Sequence, residues 1–439
     1  MDSLNSILSA ISTVVWGPFI LIPLLLGTGL YLTVRLRSIQ FRTLGRATRH
    51  AFIDHSEDGA GDISNYQALT TALAATVGTG NIVGVATAIS IGGPGALFWI
   101  WLTGIVGMAS KYTEAYLGVR FRTTDAKGKQ QGGPQEYLKR GIPGTFGKVL
   151  AAAFTLFTIF ASFGIGNLAQ GNSIAAGMQD AFGLDSTVAG LIIFFAVGAA
   201  VLGGIEGIGK ITAAFVPLMI VVYVGGGITA LALMADRVPG AFATIFHDAF
   251  TGTAATGGFV GSGIMLAIQF GVARGIFSNE SGMGSAAIAA AAAKTQHPAR
   301  QALVSMTQTF IDTIIVVSCT GPVIITTGVW NQTDPATGQQ ISAAIMTGEA
   351  FTHGLPGQWG HWIVTVGLVL FAYSTILGWA YYGEKCWEYL LGTASEKPFR
   401  LLWVLGVFVG AVVTLDVAWL VADTLNALMA IPNLISLLL

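Results

Sequence analysis

A short run of small and polar residues interrupts an apolar stretch that extends from Thr71 to Ala88. The run reads TVGTGN, from Thr76 to Asn81. Glycine costs about 1 kcal/mol relative to alanine inside a helix, and threonine and asparagine side chains compete for backbone hydrogen bonds. A helix broken here has free carbonyls at the end of its first half, which suit a cation, and free N–H groups at the start of its second half, which suit a carboxylate. The run therefore predicts a binding site made largely of backbone groups.

The residues of the run extend this chemistry. The candidate ligand residues are Thr76, Gly78, Thr79, Gly80 and Asn81. The two glycines allow a ligand to approach the backbone, and the hydroxyl and amide groups add neutral ligand atoms, so no charged residue is needed. Gly80 and Gly84 also have the spacing of a tight helix contact, and close packing is the alternative explanation. The neighbouring hydroxyls and a second interrupted stretch favour a binding site.

The second interrupted stretch extends from Gly257 to Ala290. The glycines that punctuate it are Gly271, Gly275, Gly282 and Gly284. Arg274, Asn279 and Glu280 lie close to its apolar residues. Glu280 falls toward one end of the stretch, where it could act as an inner gate or cap backbone groups.

Both stretches belong to a chain with the composition of a membrane protein. Of its 439 residues, 53% are hydrophobic and 10% are charged, and the mean hydropathy is +0.69. This exceeds the apolar content of ordinary soluble domains, and no polar segment is long enough to fold alone. No basic run indicates nucleic-acid binding. We predict an all-α polytopic membrane protein with a single integral domain, 1–439.

Apolar stretches long enough to cross a hydrocarbon core of about 30 Å number about eleven. They lie near 12–35, 64–90, 94–121, 148–172, 187–206, 210–235, 258–290, 300–328, 361–384, 401–420 and 423–439. Lysines and arginines are concentrated after the first and third stretches, which predicts that these loops are cytoplasmic. Alternation then places the N-terminus outside and the C-terminus inside the cell membrane. In the outer segment 329–360, Ile341–Thr352 predicts an interfacial helix.

The two interrupted spans run in opposite directions in this topology, and four further spans follow each. The pattern predicts a five-plus-five inverted repeat with two broken helices. Residues 64–235 form its first half and residues 258–439 its second half. The first span, 12–35, is then an extra N-terminal helix.

Two other spans place polar groups at membrane depth. Ser374 and Thr375 are adjacent in the ninth span. Such hydroxyls often bond only to their own helix, but beside the carbonyl end of a broken helix they complete a neutral sodium shell. Trp379, one turn later, could bound the space for a small apolar side chain. In the fourth span, Asn167 and Gln170 share a helix face and either join helices or contact a ligand; Gln170 is the better ligand candidate.

Ionisable residues inside predicted spans are functional candidates. Asp312 in the eighth span could help to bind sodium, relay protons or pair with Arg274. Lys111 and Glu114 are three residues apart, which predicts a local ion pair.

The chain carries none of the motifs HExxH, CxxC or GxSxG, and it has no P-loop for ATP. We therefore expect a transporter driven by an ion gradient, neither an enzyme nor a protein with an organic cofactor.

Four sequence blocks resemble one family of secondary transporters. They are GDISNYQALTTALAATVGTGNIVGVATAISIGGPGALFWIW from Gly61, GIFSNESGMGSAAIAAAAAKTQHPARQALVSM from Gly275, GGPQEYL from Gly132 and STILGWAYYGE from Ser374. On these blocks the chain resembles the sodium:alanine/glycine symporters over nearly its whole length. The resemblance implies a leucine-transporter-like fold of eleven helices, in which helices 2 to 11 form the inverted repeat. It also implies sodium-coupled import of small neutral amino acids such as alanine and glycine.

The resemblance assigns roles to individual residues. The implied substrate residues are Thr76, Gly78, Thr79, Gly80, Asn81, Gln170, Met265, Phe270 and Trp379, and the implied sodium ligands are the carbonyls of Ala74 and Val77 with the hydroxyls of Ser374 and Thr375. Asp312 and Glu280 are candidates for coupling or gating. The chain reads SNESG and MGSAA where the family commonly has SNEAG and LGSAP, which bears on gating more than on substrate class.

Two alternatives stay open. Protons could replace sodium as the coupling ion, with Asp312 as the carrier. The chain could also be a ligand-binding channel or sensor, although channels usually need a symmetric ring of subunits or a wide charged pathway.

Overall fold

The computed structural model describes residues 15–17, 19–54, 59–251, 260–334, 338–413 and 416–439. The predicted starts of the first and seventh spans, at 12 and 258, lie outside these residues. The all-α class is confirmed, because helices form nearly all of the regular structure described. In chain order they are α1 (Leu21–Arg35), α2 (Ile39–Phe52), α3 (Asn65–Thr76), α4 (Gly80–Gly92), α5 (Ala96–Arg120), α6 (Pro134–Gly141), α7 (Gly144–Phe182), α8 (Ser186–Val201), α9 (Gly204–Leu233), α10 (Val238–Thr251), α11 (Val260–Asn279), α12 (Ser285–Ala291), α13 (Pro298–Thr327), α14 (Ala343–Gly354), α15 (Trp359–Leu391), α16 (Glu396–Val412) and α17 (Asp416–Leu438).

Several of these helices can cross a membrane. Four of them, α7, α9, α13 and α15, are long and apolar enough to do so, and α3 and α4 meet the same criteria as a pair. Shorter apolar helices are Leu21–Arg35, Ser186–Val201 and Thr424–Leu438. Each predicted span overlaps a described helix or helix pair. The total of eleven spans and the division into two inverted halves stay predictions.

Three described helices contain a π-type segment, in which one turn is wider than in an α-helix. These segments are Gly80–Gly84 in α4, Gly164–Leu168 in α7 and Phe310–Val317 in α13. Wide turns of this kind are frequent at functional sites. Here they contain Asn81, Asn167 and Asp312, three polar residues that the sequence singled out.

The helices pack so that the broken pair α3 and α4 is enclosed. α15 packs against α3, α7 and α9, while α5 packs against α11 and α13. The helix predicted at Ile341–Thr352 is present as α14, and it contacts the broken pair directly because the Thr347 hydroxyl donates to the carbonyl of Ile82 at 2.9 Å. α14 therefore covers one side of α4.

A two-stranded hairpin follows α5, with strands β1 (Thr123–Thr124) and β2 (Gln130–Gln131). Lys127 pairs with Glu396 at 2.9 Å, and Lys129 pairs with Glu206. Burial alone would raise the pKa of Asp125, but the Lys129 backbone N–H and the Lys385 ammonium outweigh burial and lower it. The hairpin thus joins the starts of α9 and α16 through charged contacts.

Candidate functional site

The first helix break lies between Thr76, where α3 ends, and Gly80, where α4 begins, and the two helices meet at 51°. Val77 ends α3 because its backbone is extended, with φ of −74° and ψ of 91°. The last carbonyls of α3 therefore lack intrahelical donors, and the first N–H groups of α4 lack intrahelical acceptors. The broken helix that the TVGTGN run predicts is confirmed.

The Asn81 side chain connects this break to Asp312. The Gly78 N–H donates to Asn81 Oδ1 at 2.8 Å, and Asn81 Nδ2 donates to Asp312 Oδ1 at 2.8 Å. The hydroxyls of Ser278 and Thr313 also donate to Asp312 Oδ2, at 3.0 and 2.9 Å. Asn81 and Asp312 are both fully buried. The Asp312 carboxylate therefore reaches the break through the Asn81 amide.

The alternative of an ion pair between Asp312 and Arg274 is wrong. The carboxylate oxygens of Asp312 accept hydrogen bonds from neutral groups. The guanidinium of Arg274 instead lies over the ring of Phe277, 5.6 Å from its centroid.

Ser374 on α15 faces the carbonyl end of the break. Its Oγ lies 3.3 Å from the Ala74 carbonyl oxygen and 3.5 Å from that of Val77, and it donates to the Phe371 carbonyl at 2.8 Å. A hydroxyl oxygen retains lone pairs when it donates a hydrogen bond, so bonding to its own helix and ligating a cation are compatible. The group of neutral oxygens at this end of the break has the chemistry of a sodium site.

Thr375 adds a second hydroxyl and explains the glycine opposite it. Its Oγ1 donates to Phe371 at 3.0 Å, and a Cβ on Gly78 would lie 2.4 Å from this oxygen. A Cβ on Gly378 would lie 2.6 Å from the backbone nitrogen of Ala75. Both glycines therefore permit α15 to approach the break closely.

A small cavity adjoins the break and has a volume of about 20 Å³. One water molecule needs about 10–15 Å³, so an amino acid can enter only when the lining side chains move apart. Its lining residues are Ala75, Thr76, Gly78, Thr79, Gly80, Ile165, Gln170, Phe277, Glu280, Thr375 and Trp379. Predicted ligand residues from three separate parts of the sequence therefore meet at one cavity.

Gln170 and Trp379 line the cavity from α7 and α15. Gln170 Nε2 donates to the Ile165 carbonyl at 2.8 Å and to Thr79 Oγ1 at 3.4 Å. Within the described residues, Gln170 Oε1 is buried without a hydrogen-bond partner. Trp379 is fully enclosed, and a Cβ on Gly166 would lie 2.4 Å from its Cβ. Gly166 therefore allows the indole to pack against the wide turn of α7.

Some predicted ligand residues lie elsewhere. Met265 is 43% exposed, and Phe270 packs against a hydrophobic cluster; neither lines the cavity. The alternative explanation for the glycine pair was close packing. It holds for Gly80, because a Cβ there would lie 3.2 Å from Ser278 Cα. It does not hold for Gly84, where a Cβ would meet nothing within 4 Å.

Glu280 changes the expected character of the cavity. The break alone predicts a site without fixed charge, but this carboxylate residue lines the cavity and is 3% exposed. Ile165 and Phe277 also line it, and no sequence pattern indicated either residue.

The second helix break lies between Asn279, where α11 ends, and Ser285, where α12 begins. Lys111 Nζ donates to the Glu280 carbonyl at 2.9 Å and lies 3.8 Å from the Glu114 carboxylate, which confirms the predicted local pair. Glu114 accepts hydrogen bonds from the Gly284 N–H at 2.9 Å and from Asn433 Nδ2 at 2.7 Å. The backbone of this break is therefore satisfied partly by charged side chains, and partly by the amides of Asn279 and Asn433.

The whole chain, residues 1–439, matches the sodium:alanine symporter family. The chain belongs to that family. Sodium/alanine symporter AgcS of Methanococcus maripaludis is 50% identical over 436 residues, which cover 99% of this chain and 94% of AgcS. An uncharacterized transporter of Haemophilus influenzae is 49% identical over 437 residues, covering 99% of this chain and 93% of the relative. Family membership and the apolar helices make the chain a multi-pass membrane transporter of the symporter class, not an enzyme.

The fold agrees with this family. The crystal structure of MhsT in complex with L-phenylalanine matches with a TM-score of 0.55 at 14% identity, over 86% of this chain and 88% of MhsT. At this identity the likeness shows the fold alone, and it confirms the leucine-transporter-like architecture.

Proposed function

We propose that this member of the sodium:alanine symporter family carries alanine and similarly small neutral amino acids, glycine included, into the cell together with sodium. The arrangement of carbonyls, hydroxyls and N–H groups at the first break supports this proposal. The Ser374 hydroxyl lies beside the carbonyls of Ala74 and Val77, the Thr375 hydroxyl lies against Gly78, and the N-terminal end of α4 borders the small cavity. One break therefore offers adjacent sites for a cation and for a carboxylate.

Sodium and substrate stabilise the same arrangement of helices in this proposal. The ion is ligated by the carbonyls of Ala74 and Val77 on α3 and by the two hydroxyls on α15, so it holds the two helices together. The substrate carboxylate binds at Thr79 and Gly80, at the start of α4. Alternating access follows when the helices around this shared site rock and expose it first to the outside and then to the cytoplasm. The topology has the N-terminus outside and the C-terminus inside.

Uptake by proteoliposomes tests the coupling. Purified protein is reconstituted, and entry of labelled alanine is followed under an imposed inward sodium gradient, with potassium replacing sodium as the control. We expect accumulation above equilibrium with sodium only, and a proton gradient alone should not drive it. Alanine uptake that ignores the sodium gradient would refute the proposal, and currents far above a carrier's turnover would favour a channel.

The cavity wall predicts the substrate range. Binding in saturating sodium is compared for glycine, L-alanine, D-alanine, serine and leucine, with Thr79→Val as a variant that removes a hydroxyl from the cavity. Because Trp379 and Ile165 bound the space, affinity should fall as the side chain grows, with leucine weakest. Equal binding of leucine and alanine would show that this cavity does not select the substrate.

A further inference from the structure

Glu280 is the only ionisable residue among those that line the cavity within the described part of the chain. It comes directly after α11, and its N–H donates to the Ile276 carbonyl at 2.8 Å. Its φ of 53° lies in the left-handed region, which favours glycine and is strained for a glutamate. The fold therefore maintains an unfavourable backbone conformation at the residue that brings a carboxylate to the cavity.

The surroundings of Glu280 fix its position without neutralising it. The Lys111 ammonium bonds to the backbone carbonyl of Glu280, and its ion pair is with Glu114. The Ser285 hydroxyl donates to Glu280 Oε2 at 2.5 Å. In the described residues, no nitrogen of lysine, arginine or histidine lies within 4 Å of this carboxylate. A carboxylate has about four lone-pair sites, so capacity remains for a cationic ligand group.

A second acceptor points to the same ligand group. Gln170 is 2% exposed and lines the same cavity, and its Oε1 has no hydrogen-bond partner within the described residues. Its amide nitrogen is already committed to Ile165 and Thr79. An unpartnered buried acceptor in a cavity wall is costly unless a donor from a ligand meets it.

The cavity lining thus offers a partner for each of the two charges of an amino acid. The start of α4 at Gly80 carries the partial positive charge of a helix N-terminus, and Glu280 supplies a negative charge. We propose that the Glu280 carboxylate binds the ammonium group of the substrate, with Gln170 Oε1 as a further acceptor. This inference rests on the proposed function and specifies how the same site distinguishes an amino acid from other small carboxylates.

The test compares L-alanine with L-lactate, which has a hydroxyl group where alanine has the ammonium. Sodium-dependent binding of both is measured by calorimetry on the purified full-length chain, for the wild type, Glu280→Gln and the matched control Glu114→Gln. Glu114 is an equally buried carboxylate at the second break, but it does not line the cavity. The wild type should prefer alanine, and Glu280→Gln should weaken alanine binding about 30-fold while leaving lactate binding and sodium affinity unchanged. Glu114→Gln should lose stability because Lys111 loses its buried partner, but it should retain the wild-type preference.

Equal loss of alanine and lactate binding in Glu280→Gln, or no loss at all, would overturn the inference. If this variant does not fold, Glu280→Asp is measured in its place. A preference for alanine over lactate that falls about tenfold supports the ammonium-binding role of Glu280, and an unchanged preference overturns it. Failure of the proposed function would show differently, because wild-type alanine binding would then be independent of sodium.

Discussion

At the first helix break the backbone bonds to neutral side chains, whereas at the second it bonds to the charged side chains of Lys111 and Glu114 as well as to neutral amides. Gly78 is held by the Asn81 amide, and the carbonyls of Ala74 and Val77 face the Ser374 hydroxyl. The Glu280 carbonyl, at the second break, accepts a hydrogen bond from the ammonium of Lys111. The end of a half-helix has excess carbonyl groups in both cases.

The difference indicates which break responds to ions. A lysine ammonium is a permanent part of the chain, so the second break has its cation at all times. The neutral oxygens of the first break gain a cation only when one binds from solution. We therefore expect sodium binding to change the structure of the first break and to leave that of the second unchanged. Four substitutions test this difference between the breaks.

The largest effect is expected when Lys111 is replaced by Met. Lys111 and Glu114 are both fully buried, and removing one partner of a buried pair typically costs about 3–5 kcal/mol because the other charge is left uncompensated. Denaturant unfolding should show this loss in the free energy of unfolding with and without sodium. Adding Glu114→Gln should recover part of it. Unchanged stability would show that the second break does not depend on its built-in cation.

Gly78→Ala should act on the first break alone. The new Cβ would lie 2.4 Å from Thr375 Oγ1, so either this hydroxyl rotates away from the break or α15 shifts. Overpacking costs about 1–3 kcal/mol, and we expect sodium-dependent alanine binding to weaken up to about 100-fold. Gly84→Ala is the matched control, since its Cβ would meet nothing within 4 Å. Equal effects of the two substitutions would contradict the proposed contact.

Asp312→Asn should have a smaller effect, because Asp312 reaches the break only through Asn81. The new amide nitrogen would face hydroxyl and amide donors that now point at a carboxylate oxygen, and about one charged hydrogen bond is lost. Alanine binding should weaken about tenfold, while a sodium gradient still drives uptake. If sodium-driven uptake is abolished although binding persists, Asp312 has a role in coupling that this account does not give it.

Lys129→Met is a control substitution outside both breaks. Lys129 pairs with Glu206 outside them, and the two side chains are 42% and 54% exposed. Exposed pairs contribute about 0–1 kcal/mol, so thermal unfolding and sodium affinity should change little. A change as large as that of Lys111→Met would mean that the hairpin contacts are coupled to the transport site.

The sequence predicted the local backbone structure of this site but not how distant segments pack around it. Gly78, Gly80 and the apolar residues around them specify a broken membrane helix, because glycine and bilayer chemistry act within one segment. Ser374 and Thr375 could be singled out as adjacent hydroxyls at membrane depth, and the structure places Ser374 beside the free carbonyls of α3.

The missed features depend on packing between distant segments. The sequence indicated Glu280 as a gating candidate but not as part of the cavity wall, which it joins after a left-handed backbone turn at the end of α11. The wide turns that contain Asn81, Asn167 and Asp312 arise from a shift in backbone hydrogen bonding. Met265 has a suitable residue type, but its helix turns it outward, where it is 43% exposed.

The sodium affinity of the double variant Ser374→Ala, Thr375→Val shows whether sodium binds at the first break. Sodium binding is titrated in the presence of saturating alanine, for the wild type and the double variant. Loss of two hydroxyl ligands should raise the half-saturating sodium concentration at least about 30-fold, while the free energy of unfolding without sodium stays close to that of the wild type. A sodium affinity equal to that of the wild type would contradict the account, because the cation would then bind somewhere other than the first break.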